Sequence, residues 1–342
     1  MFTPILEKLH RRQDLTTDEA AAVMERIMDG QAQPSQIAAF LVGLAMKGER
    51  PAEIVGLARV MRARATKLRQ PVSPVFDTCG TGGDGSHTFN VSTVAAIVLA
   101  ACGVKVAKHG NRSASSRCGS ADLFEALGVN IAAQPDVVLR CLEDAGIAFL
   151  FAQTFHPSMR HAAPTRRELG VRTAFNLLGP LTNPAGAERQ LVGVPRPELT
   201  ELVARSLALL GAERAWVVHG ADGLDELSTT GYTKVSECRD GAVNTFYVHP
   251  ADFGLAKAAP QTLKGGDAAA NAAIARAILA GERGAPRDIV LLNTGAALLI
   301  AGRAASIPEG IAAAEDAIDS GRAAAVLDRL IALSNAREVS PA

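Results

Sequence analysis

The sequence predicts an α/β protein, a small all-helical domain beside a larger α/β domain with a mainly parallel sheet. Three observations carry this. Residues 1 to about 68 hold only helical patterns. From Val75 onward, short apolar runs alternate with helical stretches of about 10–15 residues, the texture of βαβ units. The last part of the chain, from about residue 268, is a series of Ala-rich helices. With 342 residues, 48% of them hydrophobic, the chain can bury a large core and is long enough for about two domains.

Each element has a local reason. Thr16-x-x-Glu19 is a capping box that opens a helix ending before Gly30. Ser35, after Pro34, is expected to cap a helix over 36–47 that stops at Gly48. Pro51 suits a first turn, and Ile54, Leu57, Ala58 and Met61 form an apolar stripe whose role is packing. Arg62, Arg64, Lys67 and Arg69 read as a solvated face, and Gln70-Pro-Val-Ser-Pro74 as a linker. Strands are expected at 75–77, 104–107, 147–150, 190–194 and 215–218, with helices at 93–101, 136–145 and 197–210 between most of them. Segments 233–238 and 243–249 flank Arg239-Asp-Gly241 and read as a hairpin.

Composition excludes several classes. Lys+Arg and Asp+Glu are equal at 35 each, whereas a protein that coats nucleic acid is strongly basic. Aromatics, at 4%, are too few for a stacking platform. The five cysteines, Cys79, Cys102, Cys118, Cys141 and Cys238, are scattered without C-x-x-C spacing, which reads as reduced thiols in the cytoplasm. No signal peptide and no membrane span are expected.

The chemistry concentrates in three loops at expected strand ends, where open parallel sheets bind ligands. The first, Asp77-Thr-Cys-Gly-Thr-Gly-Gly-Asp-Gly-Ser-His-Thr-Phe-Asn-Val-Ser-Thr93, packs Gly80, Gly82, Gly83 and Gly85 into one turn before an apolar helix. Backbone N–H groups unhindered by a Cβ, together with a helix N-terminus, suit phosphate or pyrophosphate. Gly80, Gly82 and Gly85 fit the dinucleotide pattern G-x-G-x-x-G, but Ser86–Asn90 separates them from the helix, and the second strand ends at basic Lys108-His109, not a carboxylate. No Gly-Lys-Ser/Thr follows, so the Walker pattern fails too. A tight turn without a ligand is the bland alternative, and so many glycines weaken a fold unless something uses them.

The second loop offers Lys108, Asn111, Arg112, Ser113, Ser115, Ser116 and Arg117, which suit several phosphate oxygens, or else make an ordinary solvated basic loop. Gly119 and Ser120 open a further helix with Asp122 in its first turn. The third loop, His219-Gly-Ala-Asp-Gly-Leu-Asp-Glu226, carries adjacent Asp225 and Glu226. Alone they would be a common surface pair; beside phosphate loops they imply Mg²⁺, which binds through one or two carboxylates, water and substrate phosphates. Arg166 and Arg167 each offer a fork for a carboxylate or a surface ion pair, and the residues alone do not choose between them. His87, His109, His156 and His219 form no triad, and His156 before Pro157 reads as a local hydrogen-bonding residue.

Asp77-Thr-Cys-Gly-Thr-Gly-Gly-Asp84, Asn90-Val-Ser-Thr93, Lys108-His-Gly-Asn111, Cys118-Gly-Ser-Ala-Asp122, Asn176-Leu-Leu-Gly-Pro-Leu-Thr-Asn-Pro184 and Asp225-Glu226 together resemble the anthranilate phosphoribosyltransferase family, in order over nearly the whole chain. The resemblance implies a nucleoside phosphorylase/phosphoribosyltransferase-like fold, with residues 1–70 and part of 164–186 in the helical domain and 71–163 with 187–342 in the α/β domain. It implies transfer of a 5-phosphoribosyl group from 5-phosphoribosyl 1-pyrophosphate to the amine of anthranilate, in tryptophan biosynthesis. It assigns Gly80, Gly83, Asp84, Thr88, Asn90, Val91, Ser92, Thr93, Lys108, His109, Gly110, Asn111, Arg112, Ser113, Ala114, Ser115, Ser116 and Ser120 to the phosphoribosyl pyrophosphate. Gly80, Asn111 and Arg166 fall to anthranilate, and Ser92, Asp225 and Glu226 to Mg²⁺. It names no general base, and it implies a homodimer through the helical domain. A pyrimidine nucleoside phosphorylase or a non-catalytic nucleic-acid-binding relative is disfavoured by the intact Asn90–Thr93 and Asp225-Glu226 elements and by the zero net charge.

Overall fold

The computed structural model of the chain describes residues 1–69, 72–113 and 117–336. Gln70 and Pro71 of the expected linker, and Ala114, Ser115 and Ser116 of the second loop, lie outside the described residues.

Four helices come first: α1 (Phe2–His10), α2 (Thr17–Met28), α3 (Pro34–Lys47) and α4 (Pro51–Arg64). The Thr16 hydroxyl accepts from Glu19 N–H at 3.1 Å, and the Glu19 carboxylate accepts from Thr16 N–H at 2.9 Å, so the expected box closes. The cap expected at Ser35 moves to Gln33. Pro34 has a helix-ready φ and lacks the N–H that a first turn leaves unused, so it becomes the first helical residue and Ser35 falls inside α3. Arg64, Lys67 and Arg69 are exposed as expected, but Arg62 is not part of that face. Its guanidinium donates to the carbonyls of Leu181 (2.6 Å) and Leu210 (3.2 Å), tying the bundle to two distant segments.

Seven strands follow: β1 (Phe76–Gly80), β2 (Val106–Gly110), β3 (Ile147–Phe151), β4 (Arg189–Gly193), β5 (Arg214–Gly220), β6 (Thr233–Arg239) and β7 (Ala242–Val248). Their order in the sheet is β3-β2-β1-β4-β5-β6-β7, the first five parallel and the last two antiparallel. The first two strands reach further than their apolar runs. Cys79 and Gly80 pair with Val192 and Gly193, and Lys108 to Gly110 pair with Phe149 to Phe151. Residues that looked like loop are therefore strand ends, because a neighbouring strand supplies hydrogen bonds that local pattern cannot reveal. Asp240 (φ 51°) and Gly241 (φ 77°) form the two-residue turn between β6 and β7.

The crossovers explain the layers. The chain moves outward from β1 to β2 to β3 through α5 (Val91–Ala101), α6 (Ser120–Leu127) and α7 (Pro135–Arg140), which runs on as a wider π-turn over Cys141–Ala145. It then returns past β1 and moves the other way, from β4 to β5 through α10 (Leu199–Leu209). Right-handed crossovers in opposite directions put their helices on opposite faces. One face is accordingly covered by α5 and by α11 (Ala268–Leu279), α12 (Ala285–Ile300), α13 (Ile307–Asp319) and α14 (Arg322–Ser334). On the other, Val192 and Val217 of the sheet, Val203 and Leu207 of α10 and Leu57 of α4 share one core with the bundle. The return segment carries α8 (Ala152–Phe155) and α9 (Ala163–Leu169), and α9 packs against α3. Among the described residues, no helix is long and apolar enough to cross a membrane.

Candidate active site

The direction of winding reverses between β1 and β4, so a crevice opens beyond their carboxyl ends. Gly80 and Gly193 face one another there. A Cβ on Gly193 would run into the carbonyl of Asp225, and one on Gly80 into its carboxylate. The loop after β5 thus folds back over both strand ends, and the missing side chains make room for it. Asp225 Oδ2 accepts from Gly82 N–H at 3.0 Å, and Glu226 Oε1 accepts from Ser92 N–H at 3.1 Å. One acid holds the glycine loop, and its neighbour holds the first turn of α5. Both are half-buried. Burial raises both pKa values; Asp84 adds to the effect at Asp225, and Asp225 adds to it at Glu226.

The two acids and Asp84 form an oxygen-only set crowded with negative charge. The nearest ammonium, Lys108, donates to the carbonyl of Thr78 and to Ser92 Oγ (3.3 Å) rather than to either carboxylate. Among the described residues no group of three or more His, Cys, Asp or Glu side chains could by itself hold a metal. A hard divalent cation completed by phosphate oxygens and water fits this arrangement; a softer metal held entirely by protein does not.

The glycine loop is fastened from several sides. Gly82, Gly83 and Gly85 have φ of 62°, 78° and 68°, the left-handed region that glycine enters without strain. Asp84 accepts from the hydroxyl and N–H of Ser86, whose hydroxyl lies 3.2 Å from that of Thr88. The Asn90 amide donates to Cys118 O at 3.0 Å and accepts from Asn271 at 2.9 Å, and Lys264 donates to Ser86 O at 2.6 Å. Val91 and Thr93 are buried, so Val91 offers a ligand only its backbone, while Thr93 Oγ1 has no hydrogen-bond partner among the described residues.

The second loop divides. Buried Lys108 and His109 belong to β2, and His109 N–H donates to Asp77 at 3.1 Å. Asp77 also accepts from Asn183 at 2.7 Å, and burial pushes its pKa up to about 6 against the pull of Lys108. Gly110 and Asn111 lie against Ser120, whose hydroxyl donates to Asn111 O at 3.4 Å. Arg112 turns onto α6, pairing with Asp122 (2.9 Å) and Glu125 (2.8 Å), and Ser113 N–H also meets Asp122. Arg112 is therefore the assigned cation that this structure points at a protein partner rather than along the glycine loop.

A separate group lies on the return segment. Arg166, on α9, stacks over Phe175 with its guanidinium carbon 5.3 Å from the ring centroid, and no ion pair engages it among the described residues. Burial lowers its pKa, whereas Arg167 is exposed. Among the described residues, no hydrogen bond joins Arg166 to Gly80 or Asn111. The His109 and His156 rings are 5.1 Å apart, and among the described residues neither Nε2 has a hydrogen-bond partner. Burial depresses these imidazoles to about 3 and about 4, so both are neutral near pH 7. His109 Nδ1 donates to Gly179 O at 3.0 Å, and His219 Nδ1 to Val194 O at 2.9 Å. Sequence reasoning gave no role to Asn271 and Lys264, and it quoted Asp77 and Asn183 only within their motifs. The signal for the first two was Gly265-Gly266-Asp267, a glycine pair and an N-capping Asp before an Ala-rich helix.

A helical bundle beside a wound sheet, with a glycine turn and paired acids at the reversal point, suits an enzyme that handles a phosphorylated substrate. Residues 3–65 match the model of the glycosyl transferase family helical bundle domain, and residues 72–324 that of the family's a/b domain. The anthranilate phosphoribosyltransferase of Moorella thermoacetica is 57% identical over 333 residues, covering 97% of this chain and 98% of that protein. That of Symbiobacterium thermophilum is 53% identical, with 95% and 96% covered. The crystal structure of anthranilate phosphoribosyltransferase from Thermus thermophilus superposes with a TM-score of 0.92 at 48% identity, covering 97% and 99%. The Saccharomyces cerevisiae enzyme, in complex with PRPP and Mg, gives 0.89 at 29% identity, covering 97% of each chain. The chain belongs to the anthranilate phosphoribosyltransferase family.

Proposed function

We propose that this site transfers the 5-phosphoribosyl group of 5-phosphoribosyl 1-pyrophosphate to the amine of anthranilate. The observation that carries the reading is the seating of Asp225 and Glu226 on the glycine loop and the α5 N-terminus, which sets an acidic pair beside a phosphate cradle. The loop backbone at Gly80, Gly83 and Asp84, the polar groups of Thr88 and Asn90, the turn from Val91 to Thr93, and residues Lys108–Ser113 with Ser120 are the donor's binding residues. Ala114, Ser115 and Ser116 complete the set on the resemblance alone. Asp225, Glu226 and Ser92 would hold Mg²⁺, which when bound neutralises charge on the leaving pyrophosphate.

The bond from C1 of the ribose to pyrophosphate breaks as the amine lone pair of anthranilate forms the new C1–N bond. Fixed loop N–H groups and Lys108 favour the charge that grows on the departing oxygen. The aromatic amine is already unprotonated at neutral pH, so no strong base is needed, and its surplus proton leaves to water. Arg166 is the partner for the anthranilate carboxylate, supported by a guanidinium that lies over Phe175 without an ion pair; Asn111 and Gly80 line the same substrate. The neutral, unpartnered faces of His109 and His156 are compatible with a flat aromatic neighbour.

The helical domain is drawn as residues 1–70 with part of 164–186, supported by the packing of α9 on α3. A homodimer through the bundle is supported by exposed Met1 and Met46, and a cytoplasmic location by five free cysteines. The test is loss of anthranilate fluorescence on mixing with phosphoribosyl pyrophosphate and Mg²⁺. Fluorescence that persists, or that decays equally after exhaustive chelation, would refute the reading.

A further inference from the structure

Arg172 lies just after α9, on the segment returning toward β4, and is exposed. Its Nη2 donates to the carbonyl of Thr81 at 3.2 Å. Its Nη1 fills the space that a Cβ on Gly83 would take. The guanidinium therefore rests on the backbone of the glycine loop, at the residue whose lack of a side chain admits it. Partial burial is the largest influence on its charge and lowers its pKa, as does Arg196, while Asp225 and Asp84 lie near enough to favour the charged form. Yet among the described residues its one hydrogen bond goes to a neutral carbonyl.

A guanidinium carries five N–H donors in a planar fork that matches phosphate oxygens two at a time. Here, among the described residues, most of that fork makes no hydrogen bond, and it lies against the backbone at Thr81 and Gly83. Lys264 reaches the loop further along, at the carbonyl of Ser86, and three other cations differ. Lys108 is buried and bonded to Thr78 and Ser92, Arg112 is paired on α6, and Arg166 stacks on Phe175. Among these four, Arg172 is the cation placed directly on the glycine turn. It is also placed to offset Asp84 and Asp225, whose negative charge would otherwise oppose entry of a polyanion.

We propose that Arg172 is a pyrophosphate-binding residue, which closes over the glycine turn from the return segment and grips the leaving group of the donor substrate. The proposal rests on the reading of the glycine loop as a pyrophosphate cradle. Since Arg172 and Arg166 share one segment, docking of that segment onto the loop presents both substrates with their arginines together.

The test is calorimetric titration of pyrophosphate, with Mg²⁺ present, into the wild-type protein and into Arg172→Lys, Arg172→Gln and Arg172→Ala. The Ala and Gln variants should bind pyrophosphate about tenfold or more weakly, as expected for loss of a charge-assisted pair, with Lys intermediate. The Michaelis constant for anthranilate should stay within about twofold of wild type, because Arg166 is untouched. Pyrophosphate affinity that is unchanged or tighter in Ala and Gln overturns the proposal, the tighter case marking Arg172 as a plug. Equal weakening toward anthranilate also overturns it. If the wild-type protein itself takes up no pyrophosphate, the cradle reading fails along with this one.

Discussion

Arg166 and Arg167 are sequence neighbours in opposite surroundings, one stacked on Phe175 and one exposed. Arg166→Ala should raise the Michaelis constant for anthranilate about ten- to a hundredfold, the equivalent of roughly 1.5–3 kcal/mol, and leave that for phosphoribosyl pyrophosphate nearly unchanged. Arg167→Ala should change neither by more than about twofold. Steady-state kinetics on both variants decides it, and a silent Arg166→Ala would place the carboxylate elsewhere. A second residue-scale consequence concerns pH. His109 and His156 titrate at about 3 and about 4 in the fold against an ordinary value of 6.5. Their contribution to stability is full above pH 6.5 and falls as pH drops toward 4, by at most about 1.4 kcal/mol per unit for each ring. Asp77, Asp225 and Glu226, whose burial raises them to about 6, about 7 and about 8, work the other way over the same range. His156→Gln should therefore gain stability relative to wild type as pH falls from 6.5 to 4.5, read as a change in the slope of melting temperature against pH. An acid limb of unchanged steepness in the variant would refute the assignment.

At the scale of elements, the acid loop owes its position to β1 and β4 rather than to its own sequence. Gly193→Ala should push the Asp225 backbone off the strand end, a form of overpacking that costs roughly 1–3 kcal/mol. Activity should fall far more than stability does, because the carboxylate moves with its backbone. Turnover close to wild type would show that the loop has another seat. Elements whose reason is local could be read from the sequence. The Thr16–Glu19 box, Pro51, the Asp240-Gly241 turn and the succession of parallel strands all depend on neighbours a few residues away. The three loops were legible as well, since glycine clusters and adjacent acids are local signals. What escaped were pairings between distant segments: Arg62 to Leu181 and Leu210, Asn183 to Asp77, Asn271 to Asn90, and Arg172 on Gly83. Nothing near Arg62 distinguishes it from the exposed Arg64 two residues on, because the carbonyls it meets lie more than a hundred residues away. Arg166 was separable from Arg167 only through the family resemblance, and the structure adds a physical difference between them.

For the whole molecule, the core that joins α4, α10 and one sheet face makes the bundle and the sheet thermally interdependent. Scanning calorimetry of the ligand-free protein should show one cooperative transition rather than two, and a separately melting bundle would contradict this. The sheet reverses its winding once, through the segment that carries His156, Arg166, Arg172 and Asn183. This segment ends near Gly186, an exposed turn residue with φ of 71°. A nick there would yield two pieces, one with the glycine and basic loops, the other with Asp225 and Glu226. The second also keeps α11 and α12, which pack against α6 and α5 of the first, and β4, which pairs with β1. Neither piece alone would hold a working site, yet each would expose the apolar face that fits the other. The enzyme is in this sense a heterodimer written as one chain, and split halves should complement one another when mixed.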